Sequence, residues 1–286
     1  MFSIHATASA TDLNALSRQL SQLCHMPVQL VAQVDSSNQH LLDGAAQLPL
    51  HPQTPCALMA MQQTAGRGRR GRAWTVSSQR ISSAHSTVDT IHPAFLASIG
   101  VRSLAPVNAL GLLPLHMGVA TVQALNRMGC AAQLKWPNDI VIATPLGMAK
   151  LGGILVEMHQ LSGDQGCAVV MGMGINWHSG PQLDDKLTAC VADYLSQAQD
   201  VVLASASLLN AMGLAWQRCS EQASCDFAAH DALYGQAISA LSETQEVQHC
   251  IARGINAAGH LCMQLPNGQL RWLNSGEVSV RVGALA

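Results

Sequence analysis

The sequence predicts an α+β protein in two parts, a larger domain over residues 1–242 and a small β-barrel-like module over 243–286. Three observations predict it. In the first part, stretches with apolar residues three and four apart read as helices. Between them lie short apolar runs bounded by Gly, Pro and polar clusters, which read as strands. After residue 242 the helical spacing stops, and four short strands follow within roughly 40 residues. The composition permits such a core, with 49% of the 286 residues hydrophobic and 11% charged, too apolar a balance for a disordered chain.

Asp12 to Leu23 carries Leu13, Leu16, Leu20 and Leu23 on one side and reads as an amphipathic helix ended by Pro27. Val28 to Val34 reads as a strand. Asp35-Ser36-Ser37-Asn38 follows and opens a helix over Gln39 to Asp43, because Ser, Asp and Asn oxygens accept from free N–H groups at a helix start. On its own this stretch is a cap and nothing more. Ala57 to Met61 is a buried strand leading into Gln63. Thr75 to Pro93, rich in Ser, Thr and His and without apolar period, reads as a long surface insertion.

Phe95 to Val101 is the next strand, and Leu115 to Met128 a helix stopped by Gly129. Ile140 to Ala143 and Lys150 to Glu157 are strands joined by a turn over Thr144 to Gly147. Val169 to Asn176 is another, with Gly172 and Gly174 inside it. Glycines within strands mark places where a ligand or another backbone comes close. Val202 to Cys219 has helical spacing, and a second helix is expected over Ala228 to Leu241. The terminal strands are Gln248 to Arg253, His260 to Leu265, Leu270 to Leu273 and Glu277 to Val282, with Asn267-Gly268 as a hairpin turn.

Charge is sparse, and its net value of −2 offers no global attraction for nucleic acid or an anionic membrane. Yet four of the twelve arginines fall in Gly66-Arg67-Gly68-Arg69-Arg70-Gly71-Arg72, interleaved with three glycines. This is a flexible loop with concentrated positive charge, and it implies a local anion. Alone it would fit a phosphate backbone as well as a small anionic ligand. The nine cysteines are an odd number without a C-x-x-C pair, which speaks for reduced thiols in a cytoplasmic protein. The twelve histidines show no metal spacing. Met1 to Leu23 has no signal-peptide pattern, and no stretch reaches the roughly 20 apolar residues of a membrane span.

Taken together, the motifs resemble those of biotin protein ligases. Gln63-Thr64-Ala65-Gly66 through Arg72-Ala73-Trp74 looks like the family's biotin-binding signature. Asp35 to Asn38, Lys135-Trp136-Pro137-Asn138-Asp139, Lys150-Leu151-Gly152-Gly153-Ile154-Leu155-Val156-Glu157 and Gly172-Met173-Gly174-Ile175-Asn176 match further family motifs in the family's order. Arg253 to Arg281 resembles its C-terminal domain, so the likeness spans about residues 30 to 283. The resemblance implies a mixed, mainly antiparallel sheet flanked by helices, of the class II synthetase-like kind, with a C-terminal SH3-like β-barrel. It implies ATP-dependent formation of biotinyl-5′-AMP and transfer of biotin to a lysine of a biotin carboxyl carrier domain.

Residue roles follow from the resemblance. Ser36, Ser37, Asn38 and Gln63 would hold biotin together with Arg67, Gly68, Arg69, Lys150 and Gly153. Lys150 would act with Arg67 as the catalytic pair, stabilising charge beside the reacting carboxylate and α-phosphate. Arg69, Arg70, Lys135, Asn138 and Asp139 would serve the nucleotide and its Mg²⁺, and Gly174 and Asn176 the adenine side. Biotin, ATP and Mg²⁺ are the expected small molecules, and the carrier domain the expected partner. DNA is not expected, because about 30 residues precede the first motif, too few for a winged helix-turn-helix, and a membrane is not expected, because no stretch is apolar enough to span one. A monomer or weak homodimer is expected. Trp74 and Trp136 read equally as core aromatics, and Glu157 as the surface end of a strand. A lipoate-type ligase of the same fold, or a non-enzymatic biotin or nucleotide sensor, would share much of this pattern.

Overall fold

The computed structural model describes residues 10–48, 55–76, 94–105, 107–163, 166–183, 186–220, 225–241, 247–274 and 279–282. A seven-stranded sheet organises the first part. Its strands are β1 (Val28–Val34), β2 (Cys56–Gln63), β3 (Ala94–Ser103), β4 (Gln133–Lys135), β5 (Asp139–Thr144), β6 (Gly147–Gln160) and β7 (Cys167–Asn176). They lie in the order β1-β2-β3-β7-β6-β5-β4. Only β1 and β2 run parallel; every other neighbour is antiparallel. The sheet is thus mixed and mainly antiparallel, as expected.

The two central strands explain the site's position. All ten residues of β7 are buried, and nine of ten in β3. Successive side chains on a strand point to opposite faces, so each face has its own set. Phe95, Ala97, Ile99, Val101, Val169, Met171, Met173 and Ile175 join the main core. That core is completed by helices α1 (Ala10–Cys24), α3 (Leu113–Arg127) and α4 (Val201–Ser220), the last buried through Trp216, Leu208 and Leu209. Ala168 and Val170 belong instead to a second cluster with Ala45 and Leu48, just after helix α2 (Ser37–Asp43). Ser98, Gly172 and Gly174 share that parity, which places them on the α2 side of the sheet.

Ser36 caps α2 as its sequence suggests, its hydroxyl accepting from Gln39 N–H at 3.5 Å. The helix expected over Ala228 to Leu241 is not formed. Ala228–His230 is a single 3-10 turn and Ala237–Leu241 is strand β8. Two local forces override the helical reading. Asp231 Oδ1 accepts from Leu233 N–H at 2.8 Å and stabilises a turn. Ile238 and Ala240 are buried while Ser239 between them is not, the period of a strand. The expected insertion over Thr75 to Pro93 lies outside the described residues from 77 onward.

β8 opens a second, antiparallel sheet with β9 (Val247–Ile255), β10 (Leu261–Gln264), β11 (Leu270–Leu273) and β12 (Ser279–Val282), in the order β11-β10-β9-β8-β12. The sheet therefore starts before residue 243, at Ala237. It is docked on the first part through Trp136, which is 1% exposed and donates from Nε1 to Gly259 O at 2.9 Å. Trp136 is thus a core aromatic with its polar tip satisfied.

Candidate active site

The arginine segment folds back on itself. Trp74 N–H donates to Gly66 O at 2.8 Å and Gly68 N–H to Arg72 O at 2.7 Å, with Arg67 and Ala73 bridged antiparallel between them. The tip turns through Arg70 (φ 58°) and Gly71 (φ 69°), left-handed conformations that glycine adopts without cost. The result is a short hairpin standing over the α2 side of the sheet, and a cavity of about 190 Å³ lies beneath it.

Hydrogen bonds tie the cavity floor together. Gln63 Oε1, at the end of β2, accepts from Ser37 N–H at 2.7 Å. Ser37 Oγ is 2.7 Å from Ser98 Oγ, and Ser98 donates to Asn38 Oδ1 at 2.5 Å. Asn38 Nδ2 donates to Leu155 O at 3.2 Å and to Glu157 Oε2 at 2.9 Å. Glycine is required beside this chain, because a Cβ on Gly172 would overlap Asn38 Oδ1. The hairpin joins the same chain: Arg67 donates to Glu157 Oε1 at 2.6 Å and to Gln39 Oε1. Arg67 is 41% exposed, so this ion pair contributes at most about 1 kcal/mol. A competing ligand carboxylate could exchange with it.

The other wall is built from β4 to β7. Lys150 Nζ donates to Asp139 Oδ1 at 2.5 Å and sits 5.5 Å from the centre of the Trp74 ring. The indole lies flat enough against β7 that a Cβ on Gly174 would come within 2.5 Å of it. Arg69 donates to Asn138 Oδ1 at 3.2 Å, and Asn138 Nδ2 to Ile154 O at 2.8 Å. Burial draws the Arg69 guanidinium below its usual pKa, Asp139 opposes that, and Arg70 and Arg72 add repulsion. Two buried polar atoms, Trp74 Nε1 and Asn176 Oδ1, have no protein partner. Asn176 meanwhile donates from Nδ2 to Lys150 O at 3.3 Å and Ala189 O at 3.2 Å.

The charge balance decides what the cavity can hold. Among the described residues, Arg67, Arg69, Arg70, Arg72 and all three lysines of the chain line it, against one carboxylate, Asp139. In a protein of net charge −2, such a concentration fits a polyanion. Every residue expected at the site from the sequence lines this one cavity. Ser36, Ser37, Asn38 and Gln63 lie on the floor, Gly68 and the arginines in the hairpin, and Lys135, Asn138, Asp139, Lys150, Gly153, Gly174 and Asn176 on the β4–β7 side.

Sequence reasoning missed three participants. Glu157 is not a mere strand end but the anchor of Arg67 and Asn38. Ser98 links two floor residues from within a strand. Lys186 enters from the connection after β7, beside Thr188 and Pro181. Signals existed for two of them: Lys186 is one of only three lysines, and Ser98 is a lone hydroxyl in an apolar run.

Residues 30–176 match the Biotin/lipoate A/B protein ligase family, and residues 234–281 the Biotin protein ligase C terminal domain. The chain belongs to the biotin/lipoate A/B protein ligase family. It is 30% identical over 258 residues to a biotin–[acetyl-CoA-carboxylase] ligase of Mycobacterium tuberculosis, covering 87% of each chain. It is 34% identical over 158 residues to the bifunctional ligase/repressor BirA of Escherichia coli, where the match spans 42% of that protein. Among solved structures, a biotin protein ligase from Aquifex aeolicus in complex with biotin and ATP shares the fold. Its TM-score is 0.67 at 23% identity, over 90% of this chain and 99% of that one.

Proposed function

We propose that this chain is a biotin protein ligase, which condenses biotin with ATP to biotinyl-5′-AMP and pyrophosphate and then transfers biotin to a lysine of a biotin carboxyl carrier protein. One observation carries the reading. A polar, hydrogen-bonded floor and a wall holding all three lysines meet beneath a single arginine hairpin. A neutral ring with an anionic tail fits the floor, and a triphosphate fits the wall.

The first step joins two anions. A carboxylate oxygen attacks the α-phosphorus, and pyrophosphate departs. Nothing in that step asks the protein for a covalent partner; it asks for neutralised charge and alignment. On this reading Lys150 lies between the two reactants and stabilises charge as it develops, without taking a proton. Arg67 exchanges Glu157 for the biotin carboxylate as the hairpin closes. Arg69, held toward Asn138, and Lys135 face the phosphates, while Arg70 and Arg72 line the approach. Bidentate guanidinium groups suit this work because they match carboxylate and phosphate geometry.

On the adenine side, Trp74 Nε1 offers a donor and Asn176 Oδ1 an acceptor, both buried and unpartnered. A purine edge presents the complementary pair. Mg²⁺ would arrive on the triphosphate, with Asp139 as its carboxylate. Among the described residues no cluster of three acidic, His or Cys side chains could hold the ion alone, and magnesium commonly binds through one or two carboxylates plus phosphates. Closure of the hairpin would keep water from the mixed anhydride until the acceptor lysine arrives. The nine cysteines, all unpaired and buried or half-buried, support a reducing, cytoplasmic setting.

The test is biotin transfer to a purified carrier domain, with pyrophosphate–ATP exchange measured alongside. Biotin-dependent exchange and labelling of the domain are expected. Exchange dependent on lipoate instead, or tight biotin binding with neither exchange nor transfer, overturns the proposal.

A further inference from the structure

We propose that Ser98 and Glu157 are positioning residues that fix the direction of the hydrogen bonds across the cavity floor, so that Ser37 meets the ligand as an acceptor. The inference rests on reading the floor as the site of biotin's cyclic urea. Neither residue lines the cavity. Ser98 is fully buried on β3, and Glu157 sits behind Asn38 on β6.

The directions follow from donor and acceptor inventories alone. An ionised carboxylate only accepts. Glu157 is paired with Arg67, which donates to Oε1 at 2.6 Å. Its Oε2 lies 2.9 Å from Asn38 Nδ2, and the same nitrogen is 3.2 Å from the carbonyl of Leu155. Two pure acceptors on that side fix the Asn38 amide, because a flip would set its oxygen against both. Asn38 Oδ1 therefore faces Ser98 Oγ, 2.5 Å away, and Ser98 must donate to it. Ser98 has one proton. Toward Ser37 Oγ, at 2.7 Å, it can only accept, so Ser37 donates. With its proton committed inward, the Ser37 hydroxyl has only lone pairs to offer the cavity.

A cyclic urea carries two ring N–H donors flanking a carbonyl, so an acceptor at Ser37 suits a ring N–H. A ring oxygen at the same place would set lone pair against lone pair. The residues behind Ser37 thereby give the floor a preference that Ser37, able in isolation to donate or accept, does not have by itself.

The experiment uses the full chain and measures, by titration calorimetry, the affinities for biotin and ATP. It adds the two cyclic carbamate analogues, in each of which one ring N–H is replaced by oxygen. The wild-type protein should disfavour one carbamate relative to biotin by about a hundredfold, as expected where a buried polar group is left unpaired. Ser98→Ala should weaken biotin by about tenfold and bring that ratio within about tenfold, because the Ser37 proton then keeps only the long 3.3 Å contact to Gln63 Oε1 and can turn toward the ring oxygen. Ser98→Thr, which keeps the hydroxyl, should restore the wild-type ratio. Glu157→Gln, which lets the Asn38 amide turn, should narrow the ratio as Ser98→Ala does, and it carries the test should Ser98→Ala fold poorly. ATP affinity should stay within about twofold of wild type throughout, because no nucleotide-side contact is altered.

A wild-type ratio retained in both Ser98→Ala and Glu157→Gln overturns the inference. So does an equal loss of biotin, carbamate and ATP affinity, the mark of a general structural role. A wild-type protein that binds ATP but no biotin would instead sink the biotin reading, and this inference with it.

Discussion

Lys150→Ala separates the work of Lys150 in the fold from its work in the reaction. Lys150 Nζ pairs with Asp139 at 2.5 Å, and the two side chains are 23% and 28% exposed. A partly screened pair of this kind contributes at most about 1 kcal/mol to folding. Its loss should lower the thermal midpoint by about 2–4 °C in a chain of this size. The effect on adenylation is of a different order. A cation about 4 Å from developing charge, at an effective dielectric near 20, is worth about 4 kcal/mol. Removing one preorganised electrostatic group commonly costs about 10²–10³ in rate. Pyrophosphate exchange should therefore fall by about 10²–10³ while the melting curve hardly moves. Removing the lysine also leaves Asp139 facing the phosphates without its partner. The double variant Lys150→Ala/Asp139→Asn, which also removes the carboxylate assigned to Mg²⁺, should recover none of the rate. Exchange within tenfold of wild type in Lys150→Ala would refute the assigned role, and so would a double variant that regains full rate.

Arg67→Gly removes the pair with Glu157 and Gln39 that holds the hairpin over the floor. It should release free biotinyl-AMP and label lysines of bystander proteins; adenylate retained as tightly as in wild type would speak against closure by this loop. Gly172→Ala drives a methyl group into Asn38 Oδ1. Overpacking of this kind costs about 1–3 kcal/mol, and biotin affinity measured by calorimetry should fall by at least tenfold with ATP affinity kept. Trp136→Phe leaves the Gly259 carbonyl without its buried donor. Chemical denaturation should report a loss of about 1–3 kcal/mol. Burial raises Cys24, Cys130, Cys219, Cys225 and Cys250 from 9.0 to about 11, and Cys190, where Asp193 adds to the effect, to about 12. The folded state thus holds these protons longer than the unfolded chain. The stability they support is complete below pH 9 and is lost as pH rises toward 11–12, so urea midpoints should fall steadily over that window. A thiol reagent at pH 8 should leave the seven buried cysteines unlabelled until denaturant is added.

Much of the fold was legible because its signals are local. The apolar spacing of α1, α3 and α4, the cap at Ser36 and the turn over Thr144 to Gly147 each depend on residues a few positions apart. The failure at Ala228 to Leu241 has the same origin. Small apolar residues there satisfy a helical count, and only docking of Ile238 and Ala240 in the second sheet selects the strand. The site was legible in part through its concentration of charge and its in-strand glycines. Ser98, Glu157 and Lys186 were not. Ser98 meets Asn38 across 60 residues of sequence, and Asn38 meets Glu157 across 119.

By itself, then, the sequence determined that a glycine-punctuated run of arginines would serve an anion, and that strands carrying Gly172 and Gly174 would allow a close approach. What approaches was decided only by the tertiary structure: Asn38 stands over Gly172, and the Trp74 indole over Gly174. The same holds for the direction of each proton on the floor. A serine hydroxyl has no fixed polarity along the chain, because it both donates and accepts. It acquires one where folding sets it between partners that can do only one of the two.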